Sequence, residues 1–214
     1  MDNLKDRRTE YKSEQQLTIN DMAQDPIVQF ERWYLEAEQG GVSEPNGMTL
    51  CTVSEGGKPS ARIVLLKGFS QKGFSFYTNY DSRKAMEIAK NPQVSAVFWW
   101  RPHFRQVRIE GVAEKVDREA SMSYFHSRPR GSQVSAWASP QSREISLEEM
   151  LNRRAEMEDK YDNENLIPLP EFWGGYVIRP YIIEFWQGQE NRYHDRFRYR
   201  HSDDGSWKVD RLAP

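Results

Sequence analysis

Short runs of alternating apolar and polar residues recur along this chain, and they constrain its fold more than any other feature. Five runs lie at 48–53, 60–67, 73–78, 94–100 and 106–116, and four more at 175–179, 182–187, 192–201 and 206–212. Alternation with a period of two is typical of β-strands with one face in a core. Many antiparallel-looking strands with a few helices between them favour a barrel with helical additions. We therefore predict a mainly β fold of the α+β class.

Four helices are predicted between these strands, each beginning at a residue whose side chain can accept a first-turn N–H. They run from Asp25 to Gly40, from Ser82 to Asn91, from Asp117 to Pro129, and from Ser146 to about Tyr161. Residues 1–20 are polar and aperiodic, so they are expected to form a mobile N-terminal arm. Residues 21–214 are long enough for one domain with its own core.

Composition argues against several functional classes. The net charge is −2, whereas a general nucleic-acid binder is normally clearly basic. The most apolar run, at 96–100, is far too short to span a bilayer, and the N-terminus lacks the apolar core of a secretory signal. Cys51 is the single cysteine, which excludes an internal disulfide and favours a cytoplasmic protein with a buried, inert thiol. The 4 histidines lack ligand spacing, so no metal site is expected.

The segment Ile183–Arg196, which reads IEFWQGQENRYHDR, carries the strongest functional signal. If a strand resumes at Arg192, cationic side chains at 192, 194, 196, 198 and 200 share one face. Because no acidic residue lies among them, these positively charged side chains repel one another unless an anion binds over them. A bound phosphate or anionic cofactor would supply that anion. An ordinary exposed basic strand face explains the pattern equally well from composition alone.

Two further places combine cations with backbone that can bind an anion. Arg83 and Lys84 follow Ser82 in a first helical turn, where the helix dipole disfavours cations unless a phosphate binds there. Tyr124 and Arg128 share a helix face, and a sharp turn at Gly131 after Pro129 would return Ser132 to the same point. Solvated helix ends remain the alternative at both places.

The segment Ile183–Arg196, called the signature segment below, resembles the corresponding segment of the pyridoxamine/pyridoxine 5'-phosphate oxidases. These are FMN enzymes that make pyridoxal 5'-phosphate. The matching residues are Glu184, Trp186, Gly188, Arg192, His194, Asp195 and Arg196. Tyr193 departs from the pattern because the family usually has an aliphatic residue there. The resemblance implies an FMN-binding split β-barrel, usually a homodimer with flavin sites between subunits.

The same resemblance implies the site residues. Those matching the FMN site are Arg62, Ile63, Val64, Leu65, Leu66, Lys67, Tyr77, Thr78, Arg83, Lys84, Gln106, Gln141, Ser142, Trp186 and Arg196. Among these, Gln141 and Ser142 match a pair that the family takes from the neighbouring subunit. Those matching the substrate site are Arg8, Tyr11, Lys67, Tyr124, Arg128, Ser132, Arg192 and His194, and the last two are the expected catalytic pair. Arg8 and Tyr11 belong to an element that closes over the site, whereas His126 lies outside the set and is interpreted as structural.

The reaction that the resemblance implies is oxidation of pyridoxine or pyridoxamine 5'-phosphate to pyridoxal 5'-phosphate, with O2 as acceptor and H2O2 as product. One alternative is a split-barrel flavin reductase, or another flavoprotein with a different substrate. The other is a non-enzymatic binder, either a pyridoxal phosphate carrier or a nucleic-acid module. A reductase would not need the substrate-phosphate residues, and a carrier would not need the flavin residues.

Overall fold

The computed structural model describes residues 3, 5, 10, 11 and 16–214, and it confirms the α+β class. Within these residues, nine strands form one antiparallel sheet: β1 (Gly47–Val53), β2 (Pro59–Leu65), β3 (Gly68–Ser70), β4 (Gly73–Asn79), β5 (Gln93–Trp100), β6 (Arg105–Lys115), β7 (Trp173–Gln187), β8 (Asp195–His201) and β9 (Trp207–Arg211). The helices are α1 (Pro26–Gln39), α2 (Arg83–Lys90), α3 (Arg118–Ser127), α4 (Arg130–Ala138) and α5 (Leu147–Tyr161). None of these helices is long and apolar enough to cross a membrane.

Strand β7 is the strand around which the sheet curls. The order is β2-β1-β5-β6-β7-β4-β3, with β8 pairing to β7 and β9 pairing to β8. The first half of β7 pairs with β4, its second half pairs with β8, and β6 pairs along most of its length. Because β7 pairs with three strands along its length, the sheet curls into a partly closed barrel.

The two strands predicted at 175–179 and 182–187 are one continuous strand. Pro180 lies within it, and a proline leaves one ladder hydrogen bond unmade. The chain accommodates this at a bulge, where the pairing register of β6 shifts between Glu110 and Gly111. Gly111 is needed at this point, because an added Cβ would lie 2.4 Å from the carbonyl oxygen of Arg179.

Helix α4 and the three-residue strand β3 were not predicted. The expected sharp turn at Gly131 is wrong: α3 ends at Ser127, Arg128 and Pro129 are extended, and Gly131 lies in the first turn of α4. Proline suits the position before a helix because its missing N–H would have no partner there. The bend between α3 and α4 therefore comes from the extended pair Arg128-Pro129 and not from Gly131.

Helix α1 packs against the sheet and fixes β7 from one side. Asp25 caps it as predicted, accepting a hydrogen bond from the Ile27 N–H at 2.7 Å. The fully buried Phe30 ring lies 4.9 Å from that of Phe74, and Trp33 meets Phe185 of β7 edge-on at 5.2 Å. Such aromatic pairs contribute about 0.5–1.5 kcal/mol each beyond area burial. Helix α1 thus fixes the apolar residues of β7 against the core. The C-terminal end of β7 carries residues of the candidate site described below.

The predicted row of five like charges is wrong in two respects. Strand β8 begins at Asp195, so Arg192 lies outside it in a 3-10 turn. Neighbouring strands also supply acids: Glu184 Oε1 is 2.8 Å from Arg196 Nε, and Asp210 Oδ2 is 2.6 Å from an Arg200 amino group. The face that β8 presents is therefore neutralised by the protein, and an anion over the whole row is not required.

Candidate active site

Lys84 lies at the centre of a cluster of uncharged oxygens, the Lys84 cluster (Thr78, Ser82, Lys84 and Gln141). Its Nζ is 3.1 Å from Thr78 Oγ1, 3.1 Å from Gln141 Oε1 and 3.4 Å from Ser82 Oγ. Burial lowers the pKa of Lys84, and the charge of Arg62 lowers it further. Within the described residues, no carboxylate pairs with this ammonium group. A partly buried cation in this setting is stabilised by an incoming anion.

The start of helix α2 adds backbone donors to this cluster. Ser82 occupies the position before the helix, as predicted, but its hydroxyl donates to the Asn79 carbonyl oxygen at 2.7 Å and does not cap the first turn. The first N–H groups of α2 therefore lack a side-chain partner. Together with Arg83 and Lys84 they form an arrangement that suits a phosphate group.

A single buried carboxylate organises the arginines at this end of the sheet. Glu87 accepts from Arg83 Nε at 2.9 Å and lies 3.5 Å from an Arg62 amino group. Burial alone would raise the pKa of Glu87, but hydrogen bonds from Ser60, Thr52 and Arg83 outweigh it and lower the pKa to about 2. The ionised carboxylate balances one of the three cations of this region. The remaining two positive charges match an FMN phosphate, which is close to a dianion at neutral pH.

A second cationic group lies beside a stack of three aromatic rings, Tyr77, Tyr124 and Trp173. The Tyr77 ring is 4.0 Å from that of Tyr124 and 5.7 Å from that of Trp173, and both pairs are stacked. The Arg128 guanidinium lies 4.8 Å from the Trp173 centroid. Lys67 Nζ lies 6.0 Å from the Tyr124 centroid. Each of the two cations therefore lies beside a ring of the same aromatic stack.

Arg128 has a hydrogen-bonding group without a partner in the protein. Its NH1 is buried and forms no hydrogen bond. Burial lowers the pKa of Arg128, and Tyr124 opposes this shift. Because an unpaired buried donor costs about 1–3 kcal/mol, such a group calls for a ligand that completes the hydrogen bond. Ser132 follows in the first turn of α4, where its hydroxyl makes no hydrogen bond to another described residue, whereas His126 Nε2 is 3.0 Å from the Ile167 oxygen.

Five rings pack together at the far end of β7, forming the Trp186 cluster (Tyr11, Trp99, Phe104, Trp186 and His194). The Trp186 and His194 centroids are 4.6 Å apart. Tyr11 lies 5.7 Å from Trp186, 5.8 Å from His194 and 5.0 Å from Phe104. The structure thus brings Tyr11 of the expected arm element to the predicted catalytic histidine, while Arg8 lies outside the described residues.

His194 is held in one tautomer. Its Nδ1 accepts a hydrogen bond from the Gln189 N–H at 3.0 Å, so the neutral ring carries its proton on Nε2. Burial lowers the pKa of His194, Arg192 lowers it further, and Asp195 opposes them. The lowered pKa favours the neutral ring at pH 7. Arg192 is exposed beside it, with a left-handed φ of 64°.

A row of polar and aromatic side chains crosses the sheet next to these rings. Gln106 pairs with Trp99 on β5 and with Trp186 on β7, and Arg196 on β8 pairs with Trp186. Directly paired residues share a face, so the row is continuous over four strands. A hydrogen bond from Arg196 to Glu184 raises the pKa of Arg196. A flat surface bearing an amide and a guanidinium suits the carbonyls and nitrogens of a flavin ring.

Two family models cover most of the chain. Residues 35–160 match the model described as pyridoxamine 5'-phosphate oxidase, and residues 173–214 match the pyridoxine 5'-phosphate oxidase C-terminal dimerisation region. The pyridoxine/pyridoxamine 5'-phosphate oxidase of Salinibacter ruber is 52% identical over 219 residues, covering 100% of both chains. This chain belongs to the pyridoxamine 5'-phosphate oxidase family. Family membership confirms the resemblance drawn from the signature segment, and with it an FMN-dependent oxidoreductase.

Solved structures confirm the split-barrel fold of this oxidase. PhzG from Burkholderia lata 383, in complex with tetrahydrophenazine-1-carboxylic acid, superposes with a TM-score of 0.85 at 28% identity, covering 91% of this chain and 95% of that one. A pyridoxamine 5'-phosphate oxidase-related, FMN-binding protein from Nostoc punctiforme has a TM-score of 0.72 at 15% identity, covering 89% and 98%. The second likeness shows the fold alone.

The two parts of the oxidase site lie at opposite ends of β7. Thr78 of the Lys84 cluster pairs with Gly174, and Gln106 pairs with Trp186. The path along β7 between these two positions is about 40 Å for a fully extended strand. Gln141 Oε1 lies 3.1 Å from Lys84 Nζ of its own chain. That Gln141 and Ser142 act on the flavin of the neighbouring subunit stays a prediction. Ser142 follows it, exposed and with a φ of 70°.

Several residues of the oxidase site were not predicted. Glu87, Trp99, Phe104 and Trp173 organise the cations or complete the ring cluster. Glu87 stands four residues after Arg83 on a helix, and that spacing was a usable signal. The other three meet their partners across the sheet or between distant segments, which local patterns do not reveal. Glu184 matched the signature segment, but its hydrogen bond with Arg196 across the sheet was not predicted. Cys51 is half-buried rather than buried.

Proposed function

We propose that this enzyme oxidises pyridoxine 5'-phosphate and pyridoxamine 5'-phosphate to pyridoxal 5'-phosphate, with FMN as cofactor and O2 as electron acceptor. The observation that carries the proposal is Arg128, a half-buried guanidinium with an unpaired nitrogen beside an aromatic stack. Guanidinium groups bind phosphate through paired, charge-assisted hydrogen bonds. A small aromatic substrate with one phosphate supplies the missing acceptor.

The Lys84 cluster would hold the FMN phosphate. Arg62 and Arg83 add charge there, and the uncapped first turn of α2 adds backbone donors. Strand β2 borders this region with outward apolar side chains: Ile63 is 67% exposed and Leu65 is 37% exposed. Such exposed apolar surface on an outer strand suits contact with a ring system or a second protomer.

The flavin ring would lie on the row formed by Gln106, Trp186 and Arg196, supplied by the other protomer of a homodimer. The span between the two ends of β7 is too long for one nucleotide to reach both within one chain. A two-fold dimer in which each protomer gives a phosphate end to one site and a ring end to the other satisfies this geometry. The C-terminal dimerisation region found in this chain supports that assembly.

Lys67, Tyr124, Arg128 and Ser132 would hold the substrate phosphate. Arg128 is the best placed of the four because its unpaired donor is already buried, whereas Lys67 is exposed. Binding would recover the hydrogen bond that the free protein lacks. The half-exposed Tyr124 ring and its stacked neighbours would border the phosphate with an apolar wall.

Arg192 and His194 would orient the substrate ring. The exposed Arg192 can close over the ring, and neutral His194 can donate from Nε2 to a polar edge because its Nδ1 is already an acceptor. Tyr11 would cover the rings and exclude water, with Arg8 as its expected neighbour. The chemistry that FMN supplies when bound is removal of a hydride equivalent from C4' and delivery of the electrons to O2, giving H2O2. The alcohol becomes the aldehyde directly, while the amine becomes an imine that water hydrolyses to the aldehyde and NH3.

Oxidation of another ring system is the second candidate, and the likeness to PhzG favours it specifically. That structure contains tetrahydrophenazine-1-carboxylic acid, an anion without phosphate. A guanidinium such as Arg128 also binds carboxylates. The identity of 52% to a named vitamin B6 phosphate oxidase, against 28% to PhzG, supports the first proposal over this one.

The test is aerobic turnover by the purified protein with added FMN. Pyridoxine 5'-phosphate, pyridoxamine 5'-phosphate and a tetrahydrophenazine carboxylate are each supplied, and aldehyde and H2O2 are followed together. Equal amounts of aldehyde and peroxide from the phosphorylated substrates are expected. A yellow protein that oxidises only the phenazine precursor would overturn the substrate assignment, and a protein that retains no FMN would overturn the proposed FMN-binding residues.

A further inference from the structure

A buried carboxylate joins three segments beside the Trp186 cluster. Asp195 is 0% exposed. Its Oδ2 accepts from the Leu17 N–H at 3.0 Å and from Gln189 Nε2 at 2.7 Å, and its Oδ1 accepts from an Arg211 amino group. The end of the N-terminal arm, the loop after β7 and strand β9 therefore meet at one side chain. None of the roles assigned above to substrate or flavin residues requires this carboxylate.

Gln189 connects Asp195 to His194. The Gln189 side chain donates to Asp195, while its backbone N–H donates to His194 Nδ1 at 3.0 Å. The group that selects the tautomer of His194 is thus itself held by the carboxylate. If Gln189 moved, Nδ1 would lose its donor and both tautomers of the neutral ring would become accessible.

The loop between these residues is strained and needs such support. Asn191 has a φ of 52° and Arg192 a φ of 64°, both left-handed. This conformation costs about 1–2 kcal/mol for a non-glycine residue, less for asparagine. Strained residues persist where the surrounding contacts over-determine them. Asp195 provides two of these contacts, through Gln189 and through its backbone pairing with Gln187 at the base of the loop.

We propose that Asp195 is a positioning residue that holds the Gln189–Arg192 loop and so keeps His194 with Nδ1 as acceptor and Nε2 as donor toward the substrate. The same carboxylate fixes Leu17, which follows Tyr11 closely along the chain. One buried group thereby places the arm and the histidine against each other. The inference deepens the proposed function and rests on it only for its kinetic readout.

The test compares Asp195→Asn with a matched control, Asp210→Asn. Asparagine keeps the shape of the side chain but removes its charge, which weakens the hydrogen bonds from Leu17 and Gln189. It also presents an NH2 donor in place of one acceptor oxygen, which would face Arg211 or the other two donors. Asp210 pairs with Arg198 and Arg200 and is remote from the loop by its contacts. Ring 15N chemical shifts of the 4 histidines are recorded, and the His194 signal is assigned by its loss in His194→Gln. FMN affinity and kcat/KM are measured on the same samples.

Asp195→Asn is expected to shift the His194 signals from one tautomer toward a mixture, to lower kcat/KM by about 100-fold through misplacement of the ring, and to leave FMN affinity unchanged. Asp210→Asn should alter none of the three. An unchanged His194 tautomer in Asp195→Asn overturns the proposal, even if activity falls, because the carboxylate would then be only a structural anchor.

A second variant covers the case in which Asp195→Asn does not fold. Gln189→Ala removes the link to the loop and leaves Asp195 with Leu17 and Arg211, so the same change in the His194 signals is expected. Retention of the wild-type tautomer there would overturn the proposal as well. If the wild-type protein oxidised neither vitamin phosphate, the proposed function would fail, yet the 15N measurement would still decide the role of Asp195.

Discussion

Arg192 and His194 lie two residues apart, and their chemistry depends on this closeness. The positive charge of Arg192 helps to keep His194 neutral, and its left-handed backbone places it outside β8. An uncharged imidazole with its proton fixed on Nε2 can donate a hydrogen bond to a substrate oxygen or nitrogen. It need not compete with the guanidinium for the same acceptor lone pair. At the residue scale, the proposed site depends on Arg192, whose positive charge lowers the pKa of the neighbouring His194.

Replacing Arg192 with alanine should separate substrate handling from flavin binding. Arg192→Ala is expected to lower turnover of pyridoxine 5'-phosphate at least about 100-fold, since correct orientation of the ring would be lost. The pKa of His194 should rise, because the charge that lowers it is gone. The acid limb of the pH–rate profile then moves to higher pH. Arg200→Ala, which removes an arginine paired with Asp210, serves as the control. Loss of FMN from Arg192→Ala would show that the residue is misassigned.

The two proposed anion sites lie at helix ends, one at the start of α2 and the other at the α3–α4 junction. In α2 the serine before the helix leaves the first-turn amides uncapped, and Lys84 brings a cation that no acid neutralises within the described residues. At the α3–α4 junction, the extended pair Arg128-Pro129 interrupts what would otherwise be one helix. At the element scale, both sites arise where regular backbone hydrogen bonding stops.

Lys84→Met should weaken FMN binding while preserving the fold. A charge-assisted hydrogen bond contributes about 1.5–3 kcal/mol, so a rise of roughly 10- to 100-fold in the Kd of FMN is expected. Fluorescence quenching of added FMN measures it. Lys90→Met changes the last turn of the same helix and should leave the Kd unchanged. Equal Kd values for the two variants would remove Lys84 from the cofactor site.

Arg128→Ala should act on the substrate phosphate alone. The KM for pyridoxine 5'-phosphate is expected to rise by about 10-fold or more, as the buried charged donor is lost. Turnover of unphosphorylated pyridoxine, supplied at high concentration, should change little because it lacks the group that Arg128 would bind. Arg154→Ala, an exposed residue of α5 paired with Glu158, is the control. A similar loss with both substrates would contradict a phosphate-specific role.

At the scale of the whole molecule, the Lys84 cluster and the Trp186 cluster lie at opposite ends of one long strand, β7. Under the proposed function, one chain would give a phosphate end to one flavin and a ring end to another. A two-fold partner would then bring the two ends together. Catalysis would in that case require the dimer.

Mixed dimers test this arrangement directly. Lys84→Met and Trp186→Ala are expected to be impaired separately, but unfolding and reassembling an equal mixture should restore about a quarter of the wild-type activity, because half of the dimers gain one intact site. Sites built within single chains would remain defective in every mixed dimer. The measurement is turnover after mixing, with each variant treated alone as the control.

The sequence by itself determined the positions of most strands, most helix starts and the family. Alternation, the Asp25, Asp117 and Ser146 caps, and the signature segment are local patterns that one sequence can reveal. It did not reveal α4, the continuity of β7 through Pro180, or the acids that neutralise β8.

Only the tertiary structure decided those features, because each depends on a partner distant along the chain. Pro180 is tolerated because β7 carries a one-residue bulge beside it, opposite Glu110 and Gly111. Arg128 NH1 is buried without a partner near Trp173, and Asp195 binds the distant Leu17 N–H. The proposed division of the site between two protomers likewise rests on long-range pairing along β7. Local patterns specify which residue types are present, whereas long-range packing decides which charges remain without a partner.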